Sequence, residues 1–417
     1  MLRSWFLESF LPFKEINYDP KLWQSLIAIP NTIFLDGNER FSYIGFEPKK
    51  IYHELPKSNA LPKYEHYTGL PPFQGGLIGF LSYELGHCFN PCNIRLAKPK
   101  VIVGLYENVI AFDHKQKKAW LIWRDNEPEI PKYKKSNVVN KFSEIKSQFS
   151  KNEYLDIVSN IRERIANGDV YQVNISNEFT TLAEFDLVSL YSALQKIAPA
   201  PFSCLANFKD FAILSSSPER FLKIEDNKII TSPIKGTVKR ENEQKQDSYN
   251  KNWLLNSAKD RAENTMIVDL MRNDLSKVCL DDSIHVDELC GLYSFSNVHH
   301  LISTISGTLK PGITPIDVFQ ATMAAGSITG APKAMAMDII SQIEQTPRKA
   351  YCGHIFWQNF QGMLDSNILI RTITAKENQL SFRAGGGITY SSIPQKEYEE
   401  MLAKAIIFKK LCNNTSI

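Results

Sequence analysis

Apolar residues in this 417-residue chain recur with two periods, and the order in which those periods alternate is what most restricts the fold. Tyr154, Ile157, Val158, Ile161 and Ile165 follow one another at three- and four-residue steps, which predicts a helix that Asn167-Gly168 stops. Tyr171, Val173 and Ile175 then alternate with polar residues, the period of a strand. Further strands are predicted at 212–216, 221–224, 229–234, 301–306, 368–374 and 380–384. Further helices are predicted at 258–275, 315–324, 332–343 and 395–410. Strands thus come in runs between isolated helices, without strict βαβ alternation. That order predicts an α+β fold with mainly antiparallel sheets.

Residues 1–123 form a strand-rich part and residues 153–417 a part of mixed character. The Lys-, Glu-, Asn-, Ser- and Pro-rich stretch 124–152 reads as a polar linker, and Lys239–Asn252 as a mobile loop. Hydrophobic residues at 43% and charged residues at 22% exclude a disordered chain, a collagen-like fibre and a coiled coil. A formal charge of +3 argues against a dedicated nucleic-acid surface. No apolar run approaches the length of a membrane helix. The apolar start, MLRSWFLESFLPF, is interrupted by Glu8 and lacks a small-residue cleavage site, so it does not read as a signal peptide. Among the seven cysteines only Cys88 and Cys92 are close in sequence, and no second pair stands at zinc spacing. Reduced thiols in a cytoplasmic protein are the expectation.

Several residues have the chemistry and spacing of a site. Asp260 and Glu263 lie three apart on one predicted helix, and Glu397 and Glu400 three apart on another. Lys404 follows Glu400 by four residues on the same face. Either pair alone suits a solvated helix face; together they would repel without a hard cation such as Mg²⁺ between them. Lys235, in SPIKGT, ends an apolar run, where a partly desolvated lysine becomes a nucleophile or base. A lysine there also suits a snorkelling strand end. Glu219 follows Pro218 in a turn between two strands, a place to display a general acid or simply a surface carboxylate. GSITGAPK, Gly326–Lys333, runs into a helix but lacks the phosphate-loop spacing. Gly385-Gly386-Gly387 suits either anion contact through backbone amides or a flexible turn. His299 and His300 are adjacent on a strand and point to opposite faces, which makes them a poor metal pair.

The motifs GDVYQVNIS, APFSCL, SSSPERFLKI, SPIKGT, KDRAENTMIVDLMRNDL, VHHLIST, GSITGAPKAMAMDII, DSNILIRTITA, AGGGI and EYEEMLAKA occur in that order over residues 153–410. With them the chain resembles the chorismate-utilising enzymes, the family of anthranilate synthase and aminodeoxychorismate synthase component I. ERFSYIGFEP and GGLIGFLSYE resemble the family's N-terminal strands. The resemblance implies one large sandwich of two sheets flanked by helices, with the substrate between them and a Mg²⁺ on the ring carboxylate of chorismate. It implies Asp260, Glu263, Glu397 and Glu400 as metal ligands, Glu263 and Glu400 foremost. Tyr351, Arg371, Gly386, Gly387 and Lys404 match contacts to the substrate's carboxylates. Gly236, Thr237, His300 and Thr329 match other pocket positions, and Glu219 the general acid that protonates the leaving hydroxyl.

Lys235 selects the branch. Anthranilate synthases resemble PIAGT here, whereas aminodeoxychorismate synthases have PIKGT, and their lysine attacks the ring at C2 to form a covalent intermediate. Nitrogen then enters at C4, which implies 4-amino-4-deoxychorismate, a precursor of para-aminobenzoate and folate. Gln172 stands where isochorismate and salicylate synthases place a water-activating lysine. The chain shows no glutamine amidotransferase triad region and no appended lyase domain, so free ammonia or a separate glutamine amidotransferase subunit is expected as nitrogen source. Anthranilate synthase component I is the nearest alternative activity, and a catalytically silent regulatory relative the alternative of another class. One departure from the family is Phe356-Trp357, in place of Gly-Tyr, and the bulk of Phe356 is expected either to crowd the pocket or to alter packing beneath the implied metal site.

Overall fold

A computed structural model of the chain describes residues 11–37, 40–57, 61–62, 64–295 and 298–413. Most of the apolar N-terminal segment read against a signal peptide therefore lies outside the described residues. Two antiparallel sheets, of 13 and 10 strands, pack face to face and carry helices on their outer faces. The first sheet runs in the order 13–16, 118–122, 108–113, 41–46, 32–37, 202–207, 212–217, 372–376, 379–388, 172–184 and 146–147. The second runs 234–239, 298–308, 228–231, 220–225, 364–367, 354–359, 76–81, 101–106 and 50–52. Strands from the first 123 residues enter both sheets and pair directly with strands from beyond residue 200, as Cys204 does with Leu35 and Phe356 with Gly79.

Period-2 alternation builds this layering. Ile33, Ile78 and Phe80 point into the layer between the sheets with Tyr43, Tyr106 and Ile355. Phe34 points the other way, toward the helices Lys151–Ala166, Leu187–Ile197 and Pro394–Asn413. Leu77 and Leu81 point toward the helices Ala258–Ser276, Pro315–Thr322 and Lys333–Glu344. Capping boxes start two helices, Ser150 with Glu153 and Thr314 with Asp317.

The structure corrects several local expectations. The run 229–234 is two strands, Lys228–Thr231 and Ile234–Lys239, because Pro233 cannot continue the ladder. The run 368–374 is likewise divided: Leu364–Asn367 lies in the second sheet, Thr372–Lys376 in the first, and residues 368–371 cross between them. The helix predicted at 315–324 ends at Thr322. Lys239–Asn252 is not a mobile loop but leads into the helix Gln244–Leu255. That helix lacks an apolar stripe; it is held by Leu254 and by Asp247, whose Oδ1 lies 2.8 Å from His299 Nε2. The three glycines are strand, not turn: Gly385, Gly386 and Gly387 pair with Ser176, Ile175 and Asn174. A Cβ on Gly385 would sit 1.9 Å from the Ile175 carbonyl oxygen, so strand pairing itself requires glycine there. Phe356 does not crowd a pocket. It is buried against Phe319, ring centroids 5.0 Å apart, in space left by cross-strand Gly79, while Trp357 turns to Tyr43 and Phe73 between the sheets.

Candidate active site

The chain passes from the first sheet to the second at Pro218-Glu219 and returns through residues 368–371. These crossings are bonded to each other: Ile368 N–H donates to the Glu219 carbonyl at 3.1 Å and Ser217 Oγ to the Ile368 carbonyl at 2.6 Å. Glu219 is thereby buried at 4% exposure, with Oε1 lacking a hydrogen-bond partner among the described residues. Burial pushes its carboxyl up to about 7, against the opposing pull of Lys235 and of a bond to the Ser327 side chain. A carboxyl so placed still carries its proton near neutral pH, the requirement for a general acid.

Lys235 reaches the same place from the second sheet. The ladder between Ile234–Lys239 and Val298–Thr308 shifts register at Gly236, whose φ of +82° makes a bulge that re-aims the strand. Lys235 Nζ donates to the Ser327 carbonyl at 3.2 Å. Ser327 is therefore touched by both Lys235 and Glu219. Beyond the bulge, Thr237 Oγ1 lies 2.7 Å from His300 Nδ1. Burial, and then the Arg371 charge, lower His300 to about 4, so it is neutral at pH 7. Arg371, on the second crossing, adopts a left-handed φ of +51°, and its guanidinium has no ion-pair partner among the described residues. A part-buried cation without a partner is suited to an anionic ligand.

The two acidic helices meet here. Lys259 Nζ of the first lies 3.2 Å from Glu397 Oε1 of the second. A Cβ on Gly386 would stand 3.6 Å from Glu397 Oε2, 3.7 Å from Glu400 Oε1 and 3.7 Å from Lys404 Nζ, so the glycine strand faces these groups. Lys404 bonds Glu400 and the Gly385 carbonyl, each at 2.8 Å, and its charge holds Glu400 below the usual carboxylate range. Burial raises Glu263, opposed by Lys235 and Lys259, and Glu263 Oε1 has no hydrogen-bond partner among the described residues. Asp260 is engaged by Ser257 at the start of its helix and packs by Gly236. As arranged, no three acidic, histidine or cysteine side chains among the described residues stand close enough to hold a metal. The donor set nonetheless fits a hard cation: all carboxylates, one with a bare buried oxygen.

Sequence reasoning missed what stands behind these residues. Arg348 is 3% exposed and donates to Glu344 at 2.7 and 2.9 Å, to the Ile328 carbonyl at 3.0 Å and to the Asn174 carbonyl at 2.6 Å. Its guanidinium also lies 5.5 Å from the Tyr351 ring. It so ties the turn that carries Ser327 and Thr329, the strand opposite Gly387, and Tyr351. Arg383 adds a second cation to Glu344 at 3.4 Å. Burial opposes the charge on Glu344, yet the two arginines and Ser176 hold its carboxyl low. The four-residue spacing of Glu344 and Arg348 was the one signal available. Glu344→Ala leaves two buried guanidinium groups short of their counter-ion. An expected loss of about 3–5 kcal/mol of folding stability is read by denaturant unfolding. Gln172, 1% exposed, lies against Gly387 with its Oε1 unpartnered among the described residues.

Comparison with known proteins adds the following. The family described as chorismate binding enzyme matches residues 18–410. Aminodeoxychorismate synthase component 1 of Salmonella typhimurium is 39% identical over 83% of this chain and 78% of its own length. Anthranilate synthase component 1 of Methanothermobacter thermautotrophicus is 31% identical over 97% of this chain and 92% of its own. The crystal structure of anthranilate synthase component I from Streptococcus pneumoniae superposes with a TM-score of 0.78 at 27% identity, covering 91% of this chain and 93% of that one.

Proposed function

The chain belongs to the chorismate binding enzyme family, and from that premise we propose that it converts chorismate and ammonia to 4-amino-4-deoxychorismate. The observation that carries this reading is Lys235 and the buried Glu219 meeting at Ser327. In the proposed sequence the Lys235 amine attacks C2 of the ring. The two ring double bonds move from C1–C2 and C5–C6 to C1–C6 and C4–C5, the C4–oxygen bond breaks, and Glu219 gives its proton to the departing hydroxyl, which leaves as water. Ammonia then bonds to C4, both double bonds shift back, the C2–nitrogen bond to Lys235 breaks with its electron pair staying on the lysine nitrogen, and the Glu219 carboxylate recovers a proton from the new C4 ammonium. Attack by Lys235 at C2 excludes ammonia from that carbon, which separates this outcome from formation of anthranilate.

Arg371, Lys404, Tyr351 and the amides of Gly386 and Gly387 are the groups for the substrate's carboxylates, with Gly236, Thr237, His300 and Thr329 completing the pocket. Asp260, Glu263, Glu397 and Glu400 would hold Mg²⁺, which when bound supplies a positive anchor for the ring carboxylate. The relatives' designation as component 1 supports a second component here; we assign it as a separate glutamine amidotransferase that supplies ammonia for para-aminobenzoate and folate synthesis. No helix among the described residues is long and apolar enough to cross a membrane, and the seven thiols are free, in keeping with a cytoplasmic setting.

The test is product analysis. Purified protein is incubated with chorismate, Mg²⁺ and ammonium salt, and the products are separated chromatographically. The expected product is 4-amino-4-deoxychorismate, abolished by a chelator and restored by excess Mg²⁺. Fluorescent anthranilate would overturn the branch assignment, and turnover that survives chelation would overturn the four-carboxylate assignment.

A further inference from the structure

Besides Lys404 on Glu400 and Lys235 near Glu263, a third cation stands between the two acidic helices. Lys259 Nζ bonds Glu397 Oε1 at 3.2 Å and lies 3.9 Å from Glu263 Oε1, within ion-pair range of one carboxylate from each helix. The two carboxylates are the deep members of the cleft, with side chains 4% and 14% exposed, whereas the lysine side chain is 45% exposed and reaches in from solvent. Two like charges in a poorly hydrated place require a counter-ion. An ammonium on a flexible four-carbon stem supplies one and has open solvent to retreat into. Glu397 Oε1 also accepts from Ser392 Oγ at 2.7 Å, and Glu263 Oε1 makes no hydrogen bond among the described residues, so the ammonium holds the pair by charge.

We propose that Lys259 is a displaceable internal counter-ion. It neutralises the acidic cleft when no divalent cation is bound and swings out to solvent when one binds. This rests on the assignment of the four carboxylates to a metal. Lys259 then competes with the divalent cation for the same oxygens, and binding of the cation includes the work of displacing it. Removing the lysine charge raises cation affinity, although the residue itself ligates nothing.

The experiment measures binding directly, first without chorismate and then with it. Mg²⁺ is titrated calorimetrically, and free Mn²⁺ is counted by electron paramagnetic resonance, for the wild type, Lys259→Met and Lys259→Arg. Lys259→Met keeps the stem and loses the charge, and is expected to bind both ions about ten-fold tighter or more. Lys259→Arg is expected to stay near wild type. Metal-free Lys259→Met should melt below the metal-free wild type and gain more on adding Mg²⁺, a difference that loss of packing alone does not produce. Lys259→Gln replaces the Met variant if that one does not fold. A wild type that binds the ions while the uncharged variant binds them equally or more weakly overturns the proposal and leaves the metal assignment standing. Absence of binding by every form, with and without chorismate, overturns the metal assignment and the proposal together.

Discussion

Lys235→Ala is expected to lose at least about 10³-fold in kcat for 4-amino-4-deoxychorismate while remaining folded. Among the described residues the Lys235 side chain makes one hydrogen bond, to the Ser327 carbonyl, and its removal costs about 1 kcal/mol of stability. Unfolding therefore does not account for a loss of that size. Lys235→Arg keeps a positive charge in the same place but presents no neutral amine, so it should be equally inactive. If charge alone mattered, the arginine variant would recover most of the rate. Steady-state kinetics with a coupled assay for the product distinguishes the two. A small residue here also opens C2 to ammonia, so traces of anthranilate in Lys235→Ala would be consistent with the lysine's role as a block at that carbon.

Glu219→Gln is the second large effect, with an expected loss of about 10²–10⁴-fold in kcat, the usual worth of a positioned proton donor. The sign of its pH dependence follows from burial. The carboxyl is raised to about 7, so it is protonated and competent below that pH and loses its proton above it. Activity in the wild type should fall on the alkaline side through about pH 7, approaching ten-fold per unit. In Glu219→Gln that alkaline fall should vanish. A profile unchanged in shape would remove Glu219 from the role of acid.

The spacing of the acidic pairs and of Lys404 was legible in the sequence, and the assembly of the candidate site was not. Two carboxylates three residues apart on a helix must share a face, so Asp260–Glu263 and Glu397–Glu400 follow from spacing, as does the bond from Lys404 to Glu400. That the two helices meet depends on how the sheets lie against each other, since Pro394–Asn413 rests on Gln379–Ile388 of the first and Ala258–Ser276 on Val298–Thr308 and Ile234–Lys239 of the second, a long-range relation that no local pattern encodes. The crossings at Glu219 and Arg371 were hidden for a related reason. Their flanking residues read as strands, but which sheet each strand joins is decided at long range. The helix Gln244–Leu255 escaped notice because periodicity registers apolar stripes, and this helix is held by an Asp247–His299 pair. The buried Glu344, Arg348 and Arg383 escaped because charged residues are read as surface unless their partners are known.

What positions the reacting groups is consequently a set of backbone requirements. Gly236 carries the bulge that turns Lys235 toward Ser327, and an added Cβ there would come within 3.0 Å of Asp260 Cβ. Gly385 admits the Ile175 carbonyl, Gly387 the Gln172 amide, and Gly386 leaves the face opposite Glu397 and Glu400 open. The glycines serve close approach by strands and side chains, so they belong to the pocket's shape as well as to any contact with an anion.

The central claim is that Lys235 becomes bonded to the substrate, and the mass of the protein tests it most directly. Wild-type protein is mixed with chorismate and Mg²⁺ without ammonia, quenched in acid, and analysed by intact-mass and peptide-level mass spectrometry. The predicted result is a species heavier by one chorismate less one water, mapped to Lys235, which disappears when ammonium is added before the quench. Full-rate formation of 4-amino-4-deoxychorismate by Lys235→Ala, or an adduct mapped to any other residue, would contradict the account.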